Sequence, residues 1–266
     1  MCQSSSSTSK NVTGGSAEPD QTAWIKGGKH PCRHPHLGPL NHHNKVWRIV
    51  LLGAPGVGKG TQAKLLGESL GSCHLSTRTV FRTAQESNGE DFSPALKNGL
   101  DYLNRGDVVP DETVLNLVGE RLKCLKCSGG FLLDGFPRTV PQAKALEQLL
   151  DSQDCPLSAV IHYELPIEPL VARLSGGRTC THCQAVYHVT THRPKIAEVC
   201  DRCGGALLQH KDDRLASARV RTAAYQQATQ PLLDYYQQRG LLVNVAAHGT
   251  PAEVRQRTQL SVRMRD

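Results

Sequence analysis

Apolar positions along the chain fall into short unbroken runs separated by amphipathic stretches, and this alternation begins abruptly near residue 46. The first run, VWRIVLLG (46–53), is β-rich and ends on a glycine, and GKGTQAKLLGESL (58–70) continues with the spacing of an amphipathic helix. Comparable runs recur at FLLDG (131–135), AVIHYEL (159–165) and GLLVNVA (240–246), with helical segments such as 139–150 and 214–238 between them. Apolar strands alternating with helices predict an α/β fold with a parallel sheet covered on both faces, because such strands bury both of their sides.

Two stretches break the pattern. Residues 1–44 are rich in Ser, Gly, Pro, Asn and His without apolar periodicity and read as a disordered extension. Its Cys32, His34, His36, His42 and His43 could hold a metal, but a flexible His-rich tail is the plainer reading. Residues 176–213, short of aliphatic side chains and dense in Cys, His, Thr and Gly, read as a small inserted domain. No internal repeat is evident.

Composition narrows the classes. A chain of 266 residues with 38% hydrophobic content can bury a core. No run approaches the roughly 20 apolar residues of a membrane helix, and no apolar signal core follows the initial Met, so the reading is cytoplasmic with no membrane partner. Few arginines and some acids in residues 1–44 argue against an organellar presequence. The net charge of +7 attracts anions, but the basic residues are scattered and point to no nucleic-acid tract.

Residues 53–61 read GAPGVGKGT, so Gly53, Gly58 and Lys59 satisfy GxxxxGK between a predicted strand and a predicted helix. Glycines let successive backbone N–H groups converge on phosphate oxygens, the helix N-terminus adds partial positive charge, and Lys59 supplies a point charge to the outer phosphates. Gly60 stands where Ser or Thr usually follows the lysine, with Thr61 one residue later. The expected core is therefore a P-loop NTPase-type sheet. Asp134 closes an apolar strand, where an acid is unexpected unless it organises Mg²⁺ through water or serves a turn.

Four of the ten cysteines form two CxxC pairs, Cys180/Cys183 and Cys200/Cys203, with sixteen residues between them. That spacing presents four thiolates to one tetrahedral Zn²⁺, with no open position, so the metal is expected to be structural. A segment this poor in apolar residues would draw much of its folding energy from the metal. A redox dithiol or disulfides are the competing reading. Cys124 and Cys127 form a third pair with no second CxxC to complete a site, and read as structural, with a redox role as the alternative.

GAPGVGKGTQ, LSTRTVFR (75–82), NRGDVVPDETV (104–114), GFLLDGFPRT (130–139), the cysteine-rich lid and QHKDD (209–213) occur in the order in which the adenylate kinase family carries them, and the chain resembles that family over about 46–260. The resemblance implies a monomer in which a core (45–75, 108–175 and 214–266) carries a monophosphate-binding arm (76–107) and a zinc lid (176–213). It implies phosphoryl transfer from ATP to AMP giving two ADP. On the ATP side it assigns Gly56, Val57, Gly58, Lys59, Gly60, Thr61, Arg173, Val186, Tyr187 and Gly249. For AMP it assigns Thr77, Arg82, Asp107, Val108, Val109, Gly135, Phe136, Pro137, Arg138, Gln142 and Arg221. The guanidinium groups would hold phosphate and Gln142 the adenine edge. The implied catalytic set is Lys59, Asp134, Arg138, Arg178 and Arg221.

The chain departs from the family at three places. Gly177 precedes Arg178 where paired arginines are usual, His210 stands before Lys211, Asp212 and Asp213 where arginine is usual, and Arg78-Thr79 replaces Gly-Asp. One arginine can be worth about 10³ to 10⁵ in rate, so these departures leave two expectations: a working kinase in which Arg178, Lys211 or Arg78 compensates, or a nucleotide-binding sensor of the same fold. A kinase for another monophosphate is a further alternative.

Overall fold

The computed structural model describes residues 46–86, 92–121, 130–183, 185–190, 192–209 and 215–263. The expected extension 1–44, the Cys124/Cys127 pair and His210 to Asp213 lie outside the described residues. Strand β1 (Trp47–Gly53) leads through the glycine loop into α1 (Lys59–Leu70), followed by β2 (Cys73–Ser76), α2 (Thr77–Glu86), α3 (Pro94–Asn104) and α4 (Asp111–Gly119). Then come β3 (Gly130–Asp134), α5 (Val140–Asp151), β4 (Ala159–Glu164) and α6 (Ile167–Ser175). A small region of β5 (Gly177–Cys180), β6 (Val186–His188) and β7 (Leu207–Leu208) precedes α7 (Leu215–Gln238), β8 (Leu242–Ala246) and α8 (Pro251–Arg263).

The large sheet has the order β2-β3-β1-β4-β8 and every pairing in it is parallel. Its inner strands β1, β3 and β4 are largely apolar on both sides because both sides are covered. Val50, Leu52, Leu75, Phe131, Leu133 and Val160 pack on one face with Leu96, Leu117, Leu146 and Tyr236 from the helices. Ile49, Leu51, Leu132 and Ile161 pack on the other with Ala63, Leu66, Val254 and Val262. Parallel strands place their carboxyl ends on one edge, so Gly53, Ser76, Asp134 and Glu164 open toward the same side, where α/β sheets bind ligands.

The inserted region is a separate three-stranded antiparallel sheet in the order β6-β5-β7. Its own core is Cys180, Tyr187, Cys200 and Leu207. It is fastened to the end of α6 by Val189 N–H donating to Gly176 O at 3.0 Å, His188 Nε2 at 3.2 Å from Arg173 O, and Gln209 Nε2 donating to Ser175 O at 2.7 Å. No helix among the described residues is long and apolar enough to cross a membrane.

Candidate functional site

The glycine loop turns sharply because three of its residues adopt backbone angles that side chains resist: Gly53 at φ +147°, Gly56 at +81° and Gly58 at +104°. At Gly53 a Cβ would lie 2.9 Å from the carbonyl oxygen of Tyr163, so β4 can approach only a glycine. At Gly58 and Gly60, by contrast, a Cβ would meet nothing within 4 Å. Open space in front of these backbones, at the N-terminus of α1, is what an anion needs in order to reach the N–H groups. Thr61 is exposed beside it, and Val57 is buried beneath the loop.

Lys59 spans this cradle, its Nζ donating to Gly53 O at 2.6 Å and Ala54 O at 3.2 Å. Burial lowers the pKa of its ammonium, and the Asp134 carboxylate opposes that while the Arg138 and Arg78 guanidiniums add to it. Asp134, Arg138 and Arg78 thus each act on Lys59 although they come from β3, the loop after β3 and α2. Arg78 stands where the sequence shows a departure from the family, and it brings a cation to the site. Asp134, half-buried, lies 3.9 Å from His74 Nε2 through its Oδ2.

The turn after Asp134 is tight. Gly135 takes φ +87°, and a Cβ there would come within 2.8 Å of Thr77 Oγ1. Phe136 and Pro137 are buried, which anchors the turn, and Arg138 is exposed with Nε donating to Gly135 O at 2.9 Å. The Phe136 side chain belongs to the core, so a ligand at this turn would meet its backbone. Thr77 is buried at the start of α2, whose first turn is capped by Ser76 Oγ accepting from Thr79 N at 3.3 Å. Arg82 is exposed one turn further on. Gln142 is buried in the first turn of α5, with Arg138 N donating to its Oε1 at 2.6 Å and its Nε2 donating to Asp111 Oδ1 at 2.5 Å. Asp107 pairs with Arg105 at 3.3 Å, Val108 is 90% exposed and Val109 is half-buried.

Arg173 joins the loop to the far end of the sheet, with Nη1 donating to Val57 O at 3.3 Å and Nη2 to Ala247 O at 3.0 Å. Gly249, at φ +89°, follows, and α8 opens with a reciprocal cap between Thr250 and Glu253. In the inserted region Val186 is 67% exposed, whereas Tyr187 is buried, its hydroxyl accepting from Asp201 N at 2.8 Å and lying 3.5 Å from Cys200 Sγ. The Tyr187 side chain is thereby committed to the cysteines. Arg178 folds back onto Ser175 O and Gly177 O. Arg221 lies in α7, and its side chain lies outside the described residues.

The ligand atoms of Cys180, Cys183, Cys200 and Cys203 lie within 4.8 Å of one another. Sulfur separations of 3.5 Å for Cys180/Cys203 and for Cys183/Cys200 are far beyond a disulfide bond and close to the ~3.8 Å edge of a thiolate tetrahedron around zinc. His182 and Cys183 N–H groups point at Cys180 Sγ, at 3.4 and 3.5 Å. Burial opposes ionisation of Cys200, yet the Tyr187 hydroxyl and the N–H groups of Arg202 and Cys203 outweigh it and bring the thiol down to about 6. At Cys203 the Gly205 N–H favours the thiolate, but the Cys183 and Cys180 sulfurs prevail and push it up to about 12. Four thiols this close can ionise together only around a cation.

The family model "Adenylate kinase" matches residues 51–241, a span that contains the glycine loop, the tight turn and the cysteine cluster. The chain belongs to the adenylate kinase family. It is 43% identical over 198 residues to an adenylate kinase of Carboxydothermus hydrogenoformans, covering 74% of this chain and 91% of that one. With an adenylate kinase of Bacillus licheniformis it shares 44% over 197 residues, 74% of this chain and 89% of the relative. With one of Streptomyces griseus it shares 41% over 220 residues, 82% and 99% of the two chains. For an adenylate kinase, the cradle, the acidic strand end and the cation group meet at the carboxyl edge of the sheet. The link from Asp111 to Gln142, 31 residues apart, had no signal in the spacing of motifs.

Proposed function

We propose that the protein catalyses reversible transfer of the ATP γ-phosphoryl group to AMP, giving two ADP, and serves nucleotide homeostasis. The observation that carries this is the convergence of Lys59, Asp134, Arg138 and Arg78 beside an open glycine cradle. Phosphoryl transfer needs in-line positioning and positive charge more than covalent chemistry, and those groups supply both. The N–H groups of Gly56 to Thr61 hold the triphosphate, and Lys59 leaves the Gly53 and Ala54 carbonyls for its outer phosphates. Arg173 supports the base side of the ATP pocket with Val186 and Gly249. Thr77, Arg82, Gly135, Arg138, Gln142 and the backbone of Asp107 to Val109 form the AMP pocket on the arm 76–107. Arg178 and Arg221 add charge from the lid side.

Asp134 is the carboxylate suited to hold the water shell of Mg²⁺, which would neutralise charge on the transferring phosphate. Arg78 stands in place of a glycine and offsets the missing arginine at Gly177. The cysteine tetrad holds structural zinc and folds the lid 176–213. The chain works as a cytoplasmic monomer on ATP, AMP and ADP.

The test follows the label. With γ-labelled ATP, Mg²⁺ and each monophosphate in turn, label should appear on the β position of ADP made from AMP, two ADP forming for each ATP consumed. Label passing to UMP, CMP or GMP in preference to AMP would overturn the choice of acceptor.

A further inference from the structure

Gln142 is the residue placed to read the acceptor base, and a side-chain amide reads a base only if its oxygen and nitrogen are not free to exchange places. Two neighbours settle that orientation. Asp111 Oδ1 accepts from Gln142 Nε2 at 2.5 Å, and a carboxylate can only accept. The backbone N–H of Arg138 donates to Gln142 Oε1 at 2.6 Å, and an amide N–H can only donate. Flipping the amide would set donor against donor and acceptor against acceptor. Thr139 closes the arrangement, its hydroxyl donating to Asp111 Oδ2 at 3.4 Å and accepting from Gln142 N at 3.3 Å. Gln142 is 8% exposed, so water is a poor substitute for either partner.

We propose that Asp111 is a specificity-determining positioning residue, which fixes the Gln142 amide so that its remaining N–H and remaining lone pair suit adenine and not guanine. This rests on the reading of Gln142 as part of the AMP pocket. Adenine presents an amino donor where guanine presents a carbonyl oxygen, so an amide locked in one orientation satisfies the first and opposes the second. Sites built to pair with a particular polar edge discriminate strongly, because the wrong edge leaves buried groups unpaired. Asp111 reaches Gln142 from the first turn of α4, a place where negative charge is favoured by the helix itself. The turn carrying Arg138, α4 and α5 are thus joined in one device.

The experiment compares the zinc-loaded, full-length protein with Asp111→Ala, Gln142→Ala and the double variant, measuring KM and kcat for AMP and for GMP at saturating ATP. Alanine removes the acceptor, whereas asparagine could still turn its carbonyl oxygen to Gln142 Nε2 and keep the orientation. Asp111→Ala should raise the KM for AMP roughly tenfold or more and reduce the preference for AMP over GMP by a similar factor. The KM for ATP should stay within about twofold, which a general loss of structure would not allow. The double variant should be no worse than Gln142→Ala alone, because Asp111 acts through Gln142. Unchanged preference in Asp111→Ala, effects that multiply in the double variant, or no effect of Gln142→Ala would each overturn the proposal. Absence of turnover with any monophosphate in the unaltered protein would instead overturn the kinase reading on which it rests.

Discussion

The sheet and the inserted lid are folded by different means. Around the sheet, two layers of apolar side chains from Val50 to Tyr236 and from Ile49 to Val262 are closed from water on both faces. Among the described residues, the buried core of the lid adds only Leu207 and Tyr187 to its cysteines, and the Tyr187 hydroxyl is taken up by Asp201 N–H and the Cys200 sulfur. Hydrophobic burial grows with area, and so small a cluster cannot offset the entropy of ordering more than thirty residues. A metal can, because ligand binding and folding are then one event. The difference gives the sheet a core of its own and leaves the inserted region in need of a further tie, which its cysteine tetrad could supply by holding an ion.

The largest effect should come from removing that ion. Chelation is expected to abolish hydrogen-exchange protection of lid amides such as Cys180, His188 and Leu207 while β1, β3 and β4 keep theirs. Structural zinc is worth about 10 to 16 kcal/mol in small zinc-finger peptides, more than enough to decide the state of the lid. Loss of protection in both regions together would erase the distinction. Next comes the reciprocal change. Phe131→Ala, at a fully buried position, should cost about 3 to 5 kcal/mol in denaturant unfolding and leave metal stoichiometry at one ion per chain.

Within the sheet edge, Lys59→Ala should lower kcat by about 10² to 10³, since it removes a preorganised charge from the transferring group, with little change in melting temperature. Arg78→Ala sharpens the comparison most finely. Burial, with Arg138 and Arg78 beside it, lowers the Lys59 pKa against the pull of Asp134, so the alkaline loss of kcat/KM should occur at lower pH than for a surface lysine. Removing Arg78 should move that limb to higher pH as well as slow turnover. The linked stability effect has a definite sign. Folded Lys59 releases its proton before the unfolded chain does, so between those two values the unfolded state binds more protons and stability rises with pH. A limb that stays in place after Arg78→Ala would remove Arg78 from the site.

Sequence alone was most informative where a function is local. The loop from Gly53 to Thr61 needs its glycines and lysine at fixed spacing between a strand and a helix, and it lies where that pattern places it. The two CxxC pairs likewise predict a tetrad, and the four sulfurs do meet. Strand β2 escaped notice because CHLS has no periodicity of its own and becomes a strand by pairing with β3, far away in the chain. Asp111 escaped for the same reason, its partner lying on another helix. Tyr187, expected on the nucleotide side, turns its side chain to the cysteines, since a buried hydroxyl goes to the nearest unsatisfied donor and acceptor. Arg78 read as a departure whose effect no spacing could give, and only the approach of α2 to Gly135 brings it to Lys59.

The most direct test of the account is the steady-state rate of ADP formation from ATP and AMP with Mg²⁺ and zinc-loaded protein, measured against Lys59→Ala prepared identically. The expected rate lies in the roughly 1 to 100 s⁻¹ range usual for kinases, and the variant falls far below it. Equal rates for the two proteins would contradict the account, leaving a fold that holds nucleotide at the sheet edge without transferring its phosphate.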